Sequence, residues 1–174
     1  MATYRRNFLA SGTYFFTVNL ADRRRALPIE NIDLLRASFR SVRARHPFAL
    51  DAAVILLDHL HMIWTLPESD SDFAGRWRLI KSALSHGLPG GEAVSASRAE
   101  RGIWQRRYWE HTVRDEDDFI RHLDCIHFNP VKRGQVERVH EWPFSSFHRW
   151  VRLGAYPQDW AADTSDDQRA FGEP

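Results

Sequence analysis

"FALDAAVILLDHLHMIWTLP", residues 48–67, is the stretch whose reading decides the fold. Two apolar runs, "FALDAAVILLD" and "HLHMIWTLP", meet at Asp58-His59. Runs of this length, rich in branched and aromatic side chains, read as two strands or as one hairpin with Asp58-His59 near its bend. His59 and His61 are two residues apart, so a strand turns both imidazoles to one face, while Leu60, Met62, Ile63 and Trp64 pack the other face and the strand continuation. Such a pair can converge on one ion or phosphate. It can also be two surface or hydrogen-bonded core histidines, the commoner case for such a pair alone, and two ligands alone do not complete a metal site.

Upstream, "TYFFTVNL" (13–20) reads as a buried strand, and residues 29–46 carry Ile32, Leu35, Phe39 and Val42 at helical steps, ending before Pro47. Downstream, a second helix spans about residues 72–86, with Phe73, Trp77, Ile80 and Leu84 on one face. "IWQRRYWEHTVR" holds a last strand, and residues 115–125 form a third helix with acids in its first turn. The order β-α-β-β-α-β plus a helix is the split βαβ pattern. The expected fold class is therefore α+β: a ferredoxin-like antiparallel sheet with helices packed on one face, plus a C-terminal extension. Residues 1–140 form the domain and include a flexible Gly-rich loop at 87–102. Residues 141–174 form the extension, aromatic in "WPFSSFHRWVRLGAYPQDW" and acidic toward its end.

The chain has 174 residues, enough for one domain with a core. It has no apolar run of membrane-spanning length and no secretory leader, so a cytoplasmic location is expected. A single cysteine, Cys125, excludes an internal disulfide and a Cys-rich zinc site. Net charge is only +1, yet all but two of the 24 basic residues are arginines, the lysines being Lys81 and Lys132. Arginine suits bidentate phosphate contacts. Many gather early, including Arg36, Arg40, Arg43 and Arg45, whereas acids cluster elsewhere, a polarity that fits a basic face for a polyanion.

Cys125 and Asn129 in "RHLDCIHFNP" are four residues apart, on one side of a helix. Asn129 offers a carbonyl oxygen to a hard cation, or it caps a further turn that begins at Pro130 and ends at Gly134. At this point the sequence resembles a known family. "GTYFFTVNL", "DHLHMIWTLP", "RWRLIKSAL", "IWQRRYWEHTVRDEDDF", "HLDCIHFNPVKRG", "WPFSSFHR" and "YPQDWA", in this order, look like the REP-associated tyrosine transposases of the single-tyrosine HUH endonuclease superfamily.

The resemblance implies a ferredoxin-like core that binds single-stranded or hairpin DNA of palindromic repeats. It implies metal-dependent cleavage and rejoining in DNA transposition, with Mg²⁺ or Mn²⁺ held by His59, His61 and Asn129. It also implies a monomer without a membrane or protein partner, whose C-terminal segment helps read the hairpin. The attacking residue in relatives is a tyrosine four positions before the asparagine, in the form "DYIHFNP"; here that position is Cys125. A cysteine sulfur stops roughly 4 Å nearer the backbone, and ~1 Å of misplacement can cost about 100-fold in rate. The alternatives are a hairpin-DNA binder that has lost strand transfer, attack by Tyr108, Tyr14 or a water at the metal, or a recent change in an active enzyme. Expected DNA contacts are Arg5 and Arg6 in the N-terminal arm, Arg23, Arg24 and Arg25 after the first strand, Arg106 and Arg107, and Lys132 with Arg133. His111, beside Glu110, either neighbours the site or is a hydrogen-bonded structural residue.

Overall fold

The computed structural model describes residues 7–89 and 102–161. The two apolar runs around Asp58 form an antiparallel hairpin of β2 (Ala49–Ile55) and β3 (His59–Thr65). The bend falls before His59, which is the first residue of β3, and Leu56 N–H donates to its carbonyl at 2.9 Å. β1 (Thr13–Asn19) pairs antiparallel with β3, and β4 (Trp109–Thr112) pairs antiparallel with β1. The sheet order is β2-β3-β1-β4, that of the split βαβ unit.

The helix expected over 29–46 is interrupted. A short α1 (Leu27–Glu30) precedes α2 (Ile32–Arg45), because Asn31 between them leaves helical geometry. Its side-chain amide donates to the Leu27 carbonyl at 3.1 Å, the local competition typical of asparagine. α3 (Phe73–Gly87) starts where expected, its Asp72 cap accepting from Gly75 N–H at 2.8 Å.

α4 (Glu116–Lys132) is one unbroken helix that runs beyond Cys125, so Asn129 lies inside it and caps no separate turn. Asp115 caps its start, accepting from Asp118 N–H at 2.8 Å. Pro130 is tolerated near the end, where only a single internal hydrogen bond is lost. Gly134 at φ +65° then stops the helix, with Gln135 N–H reaching back to the Pro130 carbonyl at 2.9 Å.

The two-residue period of the strands separates two cores. Phe16, Leu60, Met62 and Trp64 pack under α2 and α3 with Leu35, Phe39, Trp77 and Ile80. The Trp64 and Trp77 rings stack at 4.3 Å. On the other face Phe15, Val54 and Ile63 meet Leu123 and Ile126 of α4. The two helices of the split βαβ unit thus share one face as expected, and the additional helix covers the other.

The segment leading into α5 (Phe147–Arg152) closes the open edge of β2. Ile55 N–H donates to the Phe144 carbonyl at 2.9 Å and Ser146 N–H to the Ala53 carbonyl at 2.8 Å. Trp142 and Trp150 direct their indole N–H groups to the carbonyls of Ile55 and Asp51. Unpaired strand edges invite association, and this one is covered by the chain itself. The Gly-rich loop lies mostly outside the described residues, as do Arg5, Arg6 and the acidic end of the tail. Among the described residues no helix is long and apolar enough to cross a membrane.

Candidate functional site

β3 turns His59 and His61 toward α4, where both are buried, with ring centroids 4.9 Å apart at 85°. The register that pairs Thr17 with His61 places the Thr17 hydroxyl 2.8 Å from His61 Nδ1. Asn129, wholly buried on α4, directs its amide nitrogen to His61 Nε2 at 3.2 Å. An amide nitrogen only donates, so His61 Nε2 accepts and Nδ1–H donates to Thr17. His59 follows the same pattern. Its Nδ1–H donates to Asp58 at 2.5 Å, and its Nε2 is buried without a hydrogen-bond partner.

Two imidazoles thus point Nε2 inward, each fixed from behind through Nδ1, the usual support of metal-ligating histidines. Burial, reinforced by neighbouring His61, pushes the His59 pKa down to about 4 against the pull of Asp58. The ring is neutral at pH 7, with its Nε2 lone pair available. Asp58 in turn accepts from Arg23 at 2.5 Å, and those two hydrogen bonds outweigh burial and hold its pKa low. Together with the Asn129 carbonyl oxygen, this mixed nitrogen and oxygen set fits a divalent cation.

Cys125 stands on α4 four residues before Asn129, buried at 6% exposure. None of the three described tyrosines takes its place. Tyr14 and Tyr108 belong to the core under α2 and α3, across the sheet from His59 and His61. Tyr14 is fully buried, its hydroxyl donating to the Leu9 carbonyl at 2.8 Å. Tyr156 donates to the Asp124 carboxylate, and burial together with that bond raises its pKa.

Of the arginines expected at DNA, Arg23 reaches the site through Asp58, and the charge of Arg133 is felt at His59. Arg24 is instead turned to its neighbour Asp22, at 2.9 Å. Arg25, Arg106, Arg107 and Lys132 are at the surface, though Arg25 is only exposed in part relative to its neighbours on the turn. His111 is a structural residue. Its Nε2–H donates to Asp118 at 2.8 Å, and Asp118 also accepts from the backbone of Arg114 and from Arg121. His122 stacks on His111 with centroids 4.6 Å apart, its Nδ1–H donating to the Asp118 carbonyl. The ligand atoms of His111, Asp118 and His122 lie within 4.8 Å of one another, but the carboxylate is occupied by these donors. They brace β4 against the first turn of α4. Phe15 extends the brace, its ring 4.6 Å from His122 and 5.5 Å from His61.

Sequence reading missed Thr17 and the role of Asp58. Asp58 was visible as the residue before the histidine pair, whereas Thr17 is assigned only by strand register.

A REP-associated tyrosine transposase from Escherichia coli K12 is 45% identical over 166 residues, covering 95% of this chain and 94% of the relative. The chain belongs to the REP-associated tyrosine transposases. A Haemophilus influenzae protein given the same family name is 42% identical over 167 residues, covering 94% of this chain and 95% of its own. A solved structure of a REP-associated tyrosine transposase bound to a REP hairpin superposes with a TM-score of 0.83 at 46% identity, covering 95% of this chain and 94% of that one. No family model matches the chain.

Proposed function

We propose that this transposase-family protein binds single-stranded, hairpin-forming DNA at a centre where His59, His61 and Asn129 hold Mg²⁺ or Mn²⁺. The observation that carries the reading is the buried Nε2 of His59, without a hydrogen-bond partner, beside the His61 and Asn129 pair. The relative solved with a REP hairpin supports the choice of DNA. A divalent cation would draw charge from a phosphate oxygen at this centre. The chain's own residues do the rest: Asp58 and Thr17 hold the two rings in one tautomer, and Arg23 and Arg133 make the surroundings electropositive for a phosphate.

Strand cleavage and rejoining is the reaction such a centre serves, and it requires a nucleophile in line with the leaving oxygen. Two features favour a second reading, a hairpin binder that does not cleave. The Cys125 thiol is short and buried, and Tyr14 and Tyr108 lie behind the sheet. Labelled hairpin oligonucleotides incubated with Mn²⁺ and resolved on denaturing gels decide between the two. We expect binding without a covalent adduct for the native chain, and an adduct for C125Y that is lost in the double variant with H59A. Nicks made by the native chain and abolished by H59A would show an active enzyme instead.

A further inference from the structure

The arginines of α2 are not explained by the centre at His59 and His61, since α2 packs on the opposite face of the sheet. Arg36, Arg40 and Arg43 recur at steps of four and three residues, hence along one stripe of the helix. They line a cavity of about 450 Å³ between α2, the edge of β2 and the C-terminal segment, and Arg149 of α5 lines its far side. Its volume lies within the ~300–1,000 Å³ of small-molecule sites. The remaining lining is mainly apolar, with Phe39, Leu50, Ala53, Ile55 and Phe144, and includes no acidic residue.

These arginines are only partly committed. Arg40 is exposed and makes no ion pair or hydrogen bond among the described residues. Arg36 faces Asp33 at 3.6 Å, both largely in solvent, a pairing weak enough to exchange for a phosphate. Arg43 donates through Nε to the Phe48 carbonyl at 3.2 Å, and Arg149 to the carbonyls of Leu50 and Asp51, contacts that orient their guanidinium groups, with the half-buried Asp51 carboxylate the acid that feels the charge of both.

We infer that this cavity is a nucleotide subsite: it takes one unpaired base of single-stranded DNA against Phe39 and Phe144, with the flanking phosphates on Arg36, Arg40, Arg43 and Arg149. An apolar floor under an arginine rim matches the two parts of a nucleotide, a base with stacking faces and an anionic backbone. Charge complementarity favours this occupant over an apolar peptide, because four guanidinium groups rim the cavity and no acidic residue lines it. The inference rests on the DNA-binding reading above and extends it to a second, separate surface, across the sheet from the metal ligands.

The test is fluorescence anisotropy with a labelled oligothymidylate about 12 nucleotides long and an abasic strand of equal length. Native protein is compared with A53F, which fills the cavity, and R40E, which reverses a rim charge, each checked for an unchanged melting temperature. Native protein should bind the oligothymidylate about tenfold more tightly than the abasic strand. A53F should lose that preference while keeping its affinity for the abasic strand, and R40E should weaken both. If A53F does not fold, A53L carries the same comparison. A preference that survives filling of the cavity overturns the subsite but leaves hairpin binding at the metal centre intact. Equal displacement of both strands by polyglutamate of matched charge would also overturn it, as a groove for any polyanion. Native protein that binds neither strand nor hairpin would remove both readings.

Discussion

Asp58 links Arg23 on one side to His59 on the other, and its effect on the site is testable without any reaction. Removing its charge in D58N should weaken Mn²⁺ binding by about 10–100-fold, the usual cost of losing a support behind a ligating histidine, and H59A should abolish it. Isothermal titration calorimetry reads both. T17V should weaken Mn²⁺ binding in the same direction, because Thr17 holds the Nδ1 side of His61 and so aims its Nε2. At this scale the sequence displayed His59, His61, Asn129 and Cys125 openly, since strand and helix periods alone place each pair on one side. It did not display Thr17, whose partner 44 positions away is set by strand pairing.

α4 carries both buried Asn129 and Cys125, so its two ends govern how firmly these residues are held. Replacing the cap in D115A should destabilise the protein by about 1 kcal/mol in urea denaturation. G134A should cost about the same, and for a different reason. A side chain at Gly134 meets nothing within 4 Å, so the penalty is purely that of the left-handed backbone. The start of this helix is legible in its run of acids, whereas its end, expected at Cys125, comes at Lys132, just before Gly134. Its continuity through Asn129-Pro130 was not legible, because a proline one turn from a helix end loses too little to stop it. The break at Asn31 was hidden for the opposite reason, since the apolar spacing continues across it and α1 is ended by a local arrangement in which the Asn31 backbone N–H and side-chain amide both donate to the Leu27 carbonyl.

Across the whole molecule, fully buried His127 ties α4 to the C-terminal segment, its Nε2 lying 3.1 Å from the Ser146 hydroxyl. Burial, with the charge of Arg149 next, lowers its pKa to about 3. Between that value and the ordinary ~6.5, the unfolded chain takes a proton that the folded chain refuses, so stability falls as pH drops through this window. His59, at about 4, acts in the same direction. The melting temperature should therefore decline from pH ~6.5 downward, with a shallower slope in H127Q. DNA affinity should fall steeply with added salt if arginines meet the backbone, and a flat response would count against DNA as the ligand. By itself the sequence determined the order of the main strands and helices, the histidine pair, the helix bearing Cys125, and the family resemblance. These rest on local period and on motifs read along the chain. Tertiary structure alone decided that α4 covers the face opposite α2 and α3, that Tyr14 and Tyr108 lie behind the sheet, and that α2 and the C-terminal segment enclose an arginine-rimmed cavity. Each depends on which distant segments pack together, a choice made by burial of whole faces that no local pattern encodes.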